Sequence, residues 1–383
     1  MAPLLRPRAS LQKDKFAPYF APLQSQFYVS NTSGRGAPTS IVRTIAWNPL
    51  GNLVATGSSD KTLRVWNPEK PNARFSTELK GHAAAIQKVA FNPVKDAELA
   101  SVSDDGVVKF WDVRTKNCVN EIKGLGDAFT LVWAPDGESL IVGNRSDKLF
   151  ILSPTQSTPI SSHQQSVQTN QIAFCWSGKK VFVTTGEGQT RILSYPDLEP
   201  VLHFDYDLDP DTGKGKEFKL TGHTSSCSTA ELQPTGRYLA TGGTDSIIAL
   251  WDTTDWICRR TLTKMSGPVR SISFTFDGSF IAGGSDEGMS TSPTSIPVCA
   301  ESLDNLSDTL QLEIVDIVTE AAADLPTEPG VHVWHTETGE HMYTFKSAGN
   351  SPVVSWAPTR YCLAFSDHGS GALRIAGVDP DRK

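Results

Sequence analysis

Two sets of side chains in this sequence have the types that hydrolases use for nucleophilic catalysis. The sets are His82, Ser101 and Asp105 in the first half of the chain and His223, Thr241 and Asp245 in the second. A carboxylate and an imidazole beside a hydroxyl could activate that hydroxyl as a nucleophile. The two sets recur with nearly the same spacing, however, and such recurrence is typical of architecture. We therefore expect no catalytic residues here and interpret both sets as structural.

The spacing around each set identifies a repeat. Trp111 and Trp251 each follow the Asp of their set by six residues, and Gly precedes the His about thirty residues upstream of the Trp. A period near forty residues that opens on Gly-His and closes on Trp-Asp is typical of a WD40 β-propeller blade. In such a blade the His, Ser or Thr, Asp and Trp form one hydrogen-bonded tetrad, which must be satisfied when buried.

Seven units align on the residues that end the first strand of each blade. They are Trp47-Asn48-Pro49, Phe91-Asn92-Pro93, Trp133-Ala134-Pro135, Phe174-Cys175-Trp176, Leu232-Gln233-Pro234, Phe274-Thr275-Phe276 and Trp356-Ala357-Pro358. Between them, short alternating apolar runs are separated by Gly, Pro, Asn and Asp, as in antiparallel strands. The sequence thus predicts an all-β fold, a seven-bladed WD40 β-propeller.

Two intervals between units are too long and predict insertions. The excess lies at about residues 203–219 and 289–330, and we place the second interruption before the last strand of blade six. The last unit has three strands of its own, so we expect Phe27 to Val29 to complete it, because an open ring would leave an unpaired edge. The predicted organisation is a basic flexible arm over 1–26 and one propeller over 27–383.

Other candidate ligand sites are weak. Asp205 to Gly213 has carboxylates at every second position, but Pro210 and Lys216 replace the Gly and Glu that a calcium loop needs. Six cysteines are scattered singly, which favours neither zinc nor a disulfide framework. The sequence also has no phosphate loop. From these three observations together we expect no metal, cofactor or small-molecule substrate. Without an apolar run of about eighteen residues, we also expect no membrane partner and no secretion.

Charge is distributed unevenly along the chain. The net charge is −7, while residues 1 to 43 are basic and residues 289 to 330 are acidic without a basic residue. The remaining body is nearly neutral and has no global attraction for phosphate. We therefore expect RNA contact to be indirect or weak.

Several strings resemble one family, the WD40 propeller subunit of the THO complex, the third THO subunit in animal naming. They include Trp111-Asp-Val-Arg-Thr-Lys-Asn-Cys118, Trp133-Ala-Pro-Asp-Gly137 and Ile192-Leu-Ser-Tyr-Pro-Asp-Leu-Glu-Pro200. The resemblance covers Ile41 to Gly288 and Val331 to Ile375. It implies a non-catalytic nuclear scaffold of the THO/TREX assembly, which couples transcription to mRNA packaging and export. The implied partners are helical, coiled-coil subunits, an RNA helicase and an export adaptor.

One tetrapeptide supports an alternative function. Trp111 to Arg114 has the WDxR form, which resembles the docking box of substrate receptors of cullin-type ubiquitin ligases. Exposed turns supply further candidate partner-binding residues, of which we prefer Arg145 and Lys148, followed by Lys61 and Arg114. Scaffolds concentrate binding energy in a few aromatic and Arg side chains.

Residues 289–330 interrupt an otherwise regular blade and have three interpretations. They form a disordered loop, a weak amphipathic acidic helix over Glu301 to Leu325, or a translated intron, because Gly288-Met289-Ser290 can be encoded by a fungal-type splice donor. Under the intron hypothesis, cDNA sequenced across Glu287 to Val331 lacks these codons. Codons that persist in the cDNA make the segment a genuine insertion.

Overall fold

The structure is a computed structural model that describes residues 10–23, 25–29, 41–208, 215–286 and 329–378. Within these residues the chain forms seven four-stranded antiparallel sheets, one two-stranded sheet and the helix α1 (Lys13–Phe20). Strand β1 (Gln26–Tyr28) follows the helix. The prediction of an all-β, seven-bladed propeller is confirmed.

The first three blades each use four consecutive strands. Their bounds are β2 (Val42–Trp47), β3 (Val54–Ser58), β4 (Leu63–Trp66), β5 (Thr77–Leu79), β6 (Ile86–Phe91), β7 (Glu98–Ser103), β8 (Val108–Asp112), β9 (Asn117–Ile122), β10 (Ala128–Trp133), β11 (Leu140–Asn144), β12 (Lys148–Leu152) and β13 (Ser161–Gln164). A short 3-10 helix, Ala73–Phe75, lies between β4 and β5.

The other four blades complete the ring. Their strands, with the hairpin β17–β18, are β14 (Thr169–Phe174), β15 (Lys180–Thr185), β16 (Gln189–Ser194), β17 (His203–Leu208), β18 (Gly215–Glu217), β19 (Lys219–Thr221), β20 (Cys227–Leu232), β21 (Tyr238–Gly243), β22 (Ile248–Asp252), β23 (Cys258–Leu262), β24 (Val269–Phe274), β25 (Phe280–Ser285), β26 (Gly330–His335), β27 (His341–Lys346), β28 (Val354–Trp356), β29 (Leu363–Asp367) and β30 (Ala372–Ala376).

The seventh blade contains both ends of the described chain. Its order is β28, β29, β30 and β1, and Gln26 to Tyr28 pair with Leu373 to Ile375. The guanidinium of Arg374 lies over the ring of Phe27 at 4.7 Å and donates to the carbonyl of Lys346 at 2.7 Å. The amino-terminal strand thus covers an edge that would otherwise expose unpaired backbone groups.

Neighbouring blades are joined by side chains of their innermost strands. The indole N–H of Trp47 in blade one donates to the carbonyl of Ser355 in blade seven at 2.9 Å. Trp133 makes the same bond to Ala90 of the preceding blade, at 3.0 Å. Because blade one bonds to blade seven as blade three bonds to blade two, the ring has no gap between its first and last blades.

Part of the segment predicted as a flexible arm is folded. Helix α1 buries Phe16 and Phe20 completely against blades six and seven. The ring of Phe20 lies 5.1 Å from that of Phe345 and 5.9 Å from that of Trp356, between centroids. Eight residues are too few to show a clear helical periodicity, so the sequence does not predict this helix. Its apolar side chains are buried only because they pack against the aromatic residues of the ring.

The two long intervals have different structures. The excess at 203–219 contains the hairpin β17–β18. Strand β19, the fourth strand of blade four, begins at Lys219. The interruption of blade six lies between β25 and β26, its second and third strands, and not before its last strand as predicted. Gly330 belongs to β26, where it pairs with Lys346. The Asp-to-Trp offset that located the interruption spans the turn between second and third strands, which is the reason for the correction.

The packing of α1 generates a stability prediction. Phe20→Ala lowers the free energy of unfolding by about 3–5 kcal/mol, because a buried ring is replaced by a cavity. Urea denaturation followed by tryptophan fluorescence measures the change. Lys15→Ala on the exposed side of the same helix is the matched control and shifts the midpoint little. Equal midpoints for the two variants would contradict the packing of the helix on the ring.

Candidate functional site

The tetrad of blade five is complete. Nδ1 of His223 lies 3.1 Å from the Asp245 carboxylate, and its Nε2 lies 2.8 Å from Oγ1 of Thr241. The indole N–H of Trp251 donates to the same Oγ1 at 2.9 Å. Asp245 also accepts the backbone N–H of Thr224 at 3.0 Å. Each polar atom has a partner inside the blade, so the network ties its second and third strands to the preceding connection.

The tetrad of blade two is less complete. Nε2 of His82 lies 2.6 Å from Oγ of Ser101, which accepts the indole N–H of Trp111 at 2.8 Å. Asp105 instead accepts bonds from the Ser103 hydroxyl and the backbone, and Nδ1 of His82 has no hydrogen-bond partner among the described residues. Burial lowers the pKa of His82 to about 4. The ring is therefore neutral at physiological pH.

These geometries do not form a reactive centre. Ser101 and Thr241 are fully buried, and each hydroxyl oxygen accepts an indole N–H in addition to contacting a His. A nucleophile must reach a substrate carbonyl, whereas these oxygens lie between the strands of a blade. The chemistry of both sets is used inside the fold.

The described residues were also compared with the requirements of a metal cluster and of a membrane-spanning helix. No group of three or more His, Cys, Asp or Glu side chains there is arranged to hold a metal ion. The acidic stretch from Asp205 to Gly213 lies partly in the hairpin, and residues 209–214 lie outside the described residues. Within the same part of the chain, no helix has the length and apolar character needed to cross a bilayer.

The propeller has two faces, which we define by their turns. The top face holds the connections between blades and the turns between second and third strands. The bottom face holds the turns between first and second strands and between third and fourth strands. Because every blade has the same strand order, each type of turn lies on the same face in every blade. The exposed side chains can therefore be assigned to a face from their position between strands.

The candidate binding residues do not form one cluster. Lys61, Arg145 and Lys148 are exposed at the top face, where Arg145 lies over the ring of Phe129 at 5.3 Å. Arg114 is exposed at the bottom face and forms an ion pair of 2.7 Å with Asp96. The structure thus separates the WDxR arginine from the other three candidates.

Most exposed large apolar side chains of the described residues lie on the bottom face. Of ten, six lie in bottom-face turns: Leu50, Phe75, Val94, Ile160, Trp176 and Ile257. Trp176 is 58% exposed and its indole N–H donates to the carbonyl of Gln233 at 2.8 Å, which fixes its orientation. Only Val29 and Ile41 lie on the top side, and the remaining two are on outer strands. These six side chains are spread over the bottom-face turns of blades one to five.

Comparison with known proteins agrees with the fold. Residues 30–67, 73–112, 215–252 and 256–289 match the WD40 family, described as WD domain, G-beta repeat. The β-propeller domain of Cps50 (Swd1) from Myceliophteria thermophila superposes with a TM-score of 0.65 at 15% identity, over 89% of this chain and 99% of that chain. This likeness concerns the fold.

Two curated relatives are more informative about the family. THO complex subunit 3 of Arabidopsis thaliana is 36% identical over 248 residues, which are 64% of this chain and 74% of that protein. The chain belongs to the THO complex subunit 3 family. WD repeat-containing protein AAC3 of Dictyostelium discoideum is 30% identical over 280 residues, which are 68% of this chain and 55% of that protein.

On the bottom face, sequence reasoning selects Arg114 from the WDxR motif and misses the exposed apolar side chains. The other three candidates are charged residues beside the tetrad aspartates, a criterion that favours the top face. The available signal was large apolar residues inside predicted turns, such as Leu50 after Pro49 and Val94 after Pro93. Turns are normally polar, so an apolar residue at a turn position indicates either burial or a binding role.

The two tetrads generate a comparative prediction. His223→Ala lowers the free energy of unfolding by about 2–3 kcal/mol and His82→Ala by about 1–2 kcal/mol, because His223 has partners on both ring nitrogens. Chemical denaturation of the two variants beside the parent protein measures the difference. A larger loss for His82→Ala would contradict the described networks.

Proposed function

We propose that this protein is a non-catalytic scaffold subunit of a nuclear THO/TREX assembly. It binds helical, coiled-coil THO subunits and, through the assembly, an RNA helicase and an export adaptor. In this role it couples transcription to mRNA packaging and nuclear export by protein–protein contacts.

Membership of the THO complex subunit 3 family is the observation that carries the proposal. A subunit's activity is the set of contacts that it makes in its complex, so membership supports a scaffold more directly than any single residue does.

The geometry supports the same function. The polar side chains that could do chemistry are buried in the blades, whereas the exposed apolar side chains are concentrated on one face. A ring closed by β1 holds that face rigid before a partner arrives, which reduces the ordering cost of binding. Partners therefore bind the bottom face, which is exposed and preformed.

Reconstitution tests the proposal. The full chain is co-expressed with the remaining THO subunits of the same source, and the purified material is separated by size-exclusion chromatography with and without nuclease. We expect stoichiometric co-elution that survives nuclease, because protein contacts hold the subunit. Failure to co-elute would overturn the proposal.

Arg114→Ala addresses the ubiquitin-ligase alternative in the same experiment. Under the scaffold function, no cullin adaptor co-purifies with either the parent protein or this variant. A cullin adaptor that co-purifies with the parent protein and is lost from Arg114→Ala would instead favour the receptor function.

A further inference from the structure

The bottom face of blades one and two combines exposed apolar side chains with positive charge. Leu50, Phe75 and Val94 are 49%, 48% and 62% exposed there. The turn between the first and second strands of blade one contacts the equivalent turn of blade two, because Nδ2 of Asn48 lies 3.5 Å from the carbonyl oxygen of Asp96. Leu50 and Val94 thus belong to adjoining turns, and Phe75 lies on the same face in the turn between the third and fourth strands of blade one.

Basic residues outnumber acidic ones in the same turns. The four bottom-face turns of blades one and two contain five basic and two acidic residues: Lys70, Arg74, Lys95, Arg114 and Lys116 against Glu69 and Asp96. Arg114 pairs with Asp96, whereas Lys70, Arg74 and Lys116 have no ion pair among the described residues. We call these turns, with their three apolar side chains, the basic-apolar patch. Its charge complements an acidic partner.

A groove runs beside the patch between blades two and three. Its volume is about 620 Å³, and Val94, Phe110, Arg114, Val119 and Pro154 contribute to its lining. Val119 on the outer strand is 69% exposed. Three acidic and two basic residues also line the groove: Asp96, Glu98, Asp112, Lys95 and Arg114. The groove itself therefore offers apolar contacts to a peptide segment but no excess of positive charge.

Helix α1 demonstrates how this face accepts a helix. Its segment contacts bottom-face turns of blades six and seven, where the backbone N–H of Leu11 donates to the Tyr361 hydroxyl at 2.7 Å. Lys13 pairs with Glu340, an acidic residue of a bottom-face turn of blade six. Phe16 and Phe20 supply the apolar contacts. A short helix with Lys13, Asp14 and Lys15 in its first turn therefore lies beside the acidic turns of blade six.

Nucleic acid fits the basic-apolar patch less well than protein does. Arg74 and Lys70 lie over the ring of Phe75 at 4.6 and 5.6 Å, which disfavours stacking by a nucleobase.

From these observations we propose that the basic-apolar patch binds an acidic amphipathic helix of another THO subunit. The helix presents apolar side chains to Phe75, Val94 and the groove, and carboxylates to Lys70, Arg74 and Lys116. This inference rests on the proposed function and adds the face, the residues and the chemistry of the partner.

Crosslinking of the reconstituted assembly tests the proposal without any substitution. Lysine crosslinks from the bottom-face residues Lys70, Lys95 and Lys116 to acidic helical segments of one subunit are expected. Crosslinks to subunits exclusively from the top-face residues Lys61, Lys80 and Lys148 would overturn the inference and leave the scaffold function intact. A chain that does not assemble at all overturns both.

Matched variants measure the contribution of the patch. Phe75→Ser combined with Arg74→Glu weakens binding to the purified THO subunits at least about ten-fold, because an aromatic anchor and a charge contact are lost together. The control, Lys80→Glu with Lys264→Glu at exposed positions of the top face, stays within about two-fold.

Two further measurements keep the result interpretable. Thermal melts of both variants must coincide with the parent protein, as expected for exposed side chains, and Val94→Ser provides a second patch variant if the first is unstable. Binding by the parent weakens as salt is raised, and this dependence is smaller for the Arg74→Glu variant. Loss of binding in the top-face control alone, or patch lysines protected only by added RNA, would overturn the proposal.

Discussion

Closure of the ring is the constraint on which the rest of this structure depends. Each blade buries its apolar faces only against its two neighbours, so a missing contact between blades one and seven would expose a core and an edge. The closure uses the backbone pairing of β1 with β30 and the bond from Trp47 to Ser355. Both ends of the described chain are consequently ordered by the same sheet, and α1, which precedes β1, is positioned on the ring by it.

Individual blades vary in their internal networks. Blade five has the full tetrad, and blade two lacks the bond between His82 and Asp105. Blade three, which has no Gly-His, uses Asn144, whose amide donates to the carbonyl of Leu125 at 2.8 Å and accepts two backbone N–H groups. In blade three, Asn144 thus links the connection before the blade to the turn after its second strand. The bond between His223 and Asp245 links the same two segments in blade five. Variation of this kind is tolerated inside a closed array, where neighbours share the burial.

The two faces of the ring differ in chemistry, because most of the exposed large apolar side chains lie on the bottom face. Acidic bottom-face turns of blade six accept the chain's own basic helix, while blades one and two present apolar and basic groups to solvent. The turns that α1 covers and the exposed turns of blades one and two therefore lie on the same face of the ring. A preformed surface of this kind lowers the ordering cost for any partner that it binds.

The sequence by itself determined the class, the number of blades and the complete tetrad of blade five, because strand-ending residues recur at a period near forty and Gly-His, Asp and Trp recur at a fixed spacing in two blades. It also located both long intervals, although the position of the second within blade six was wrong by one strand. Only the tertiary structure decided that α1 packs on blades six and seven and that Arg114 and Arg145 lie on opposite faces. These features join residues hundreds of positions apart, or depend on which end of a strand a turn occupies, and no local pattern encodes either. Periodicity reports what each blade buries within itself, whereas the binding surface arises from what seven blades leave exposed together.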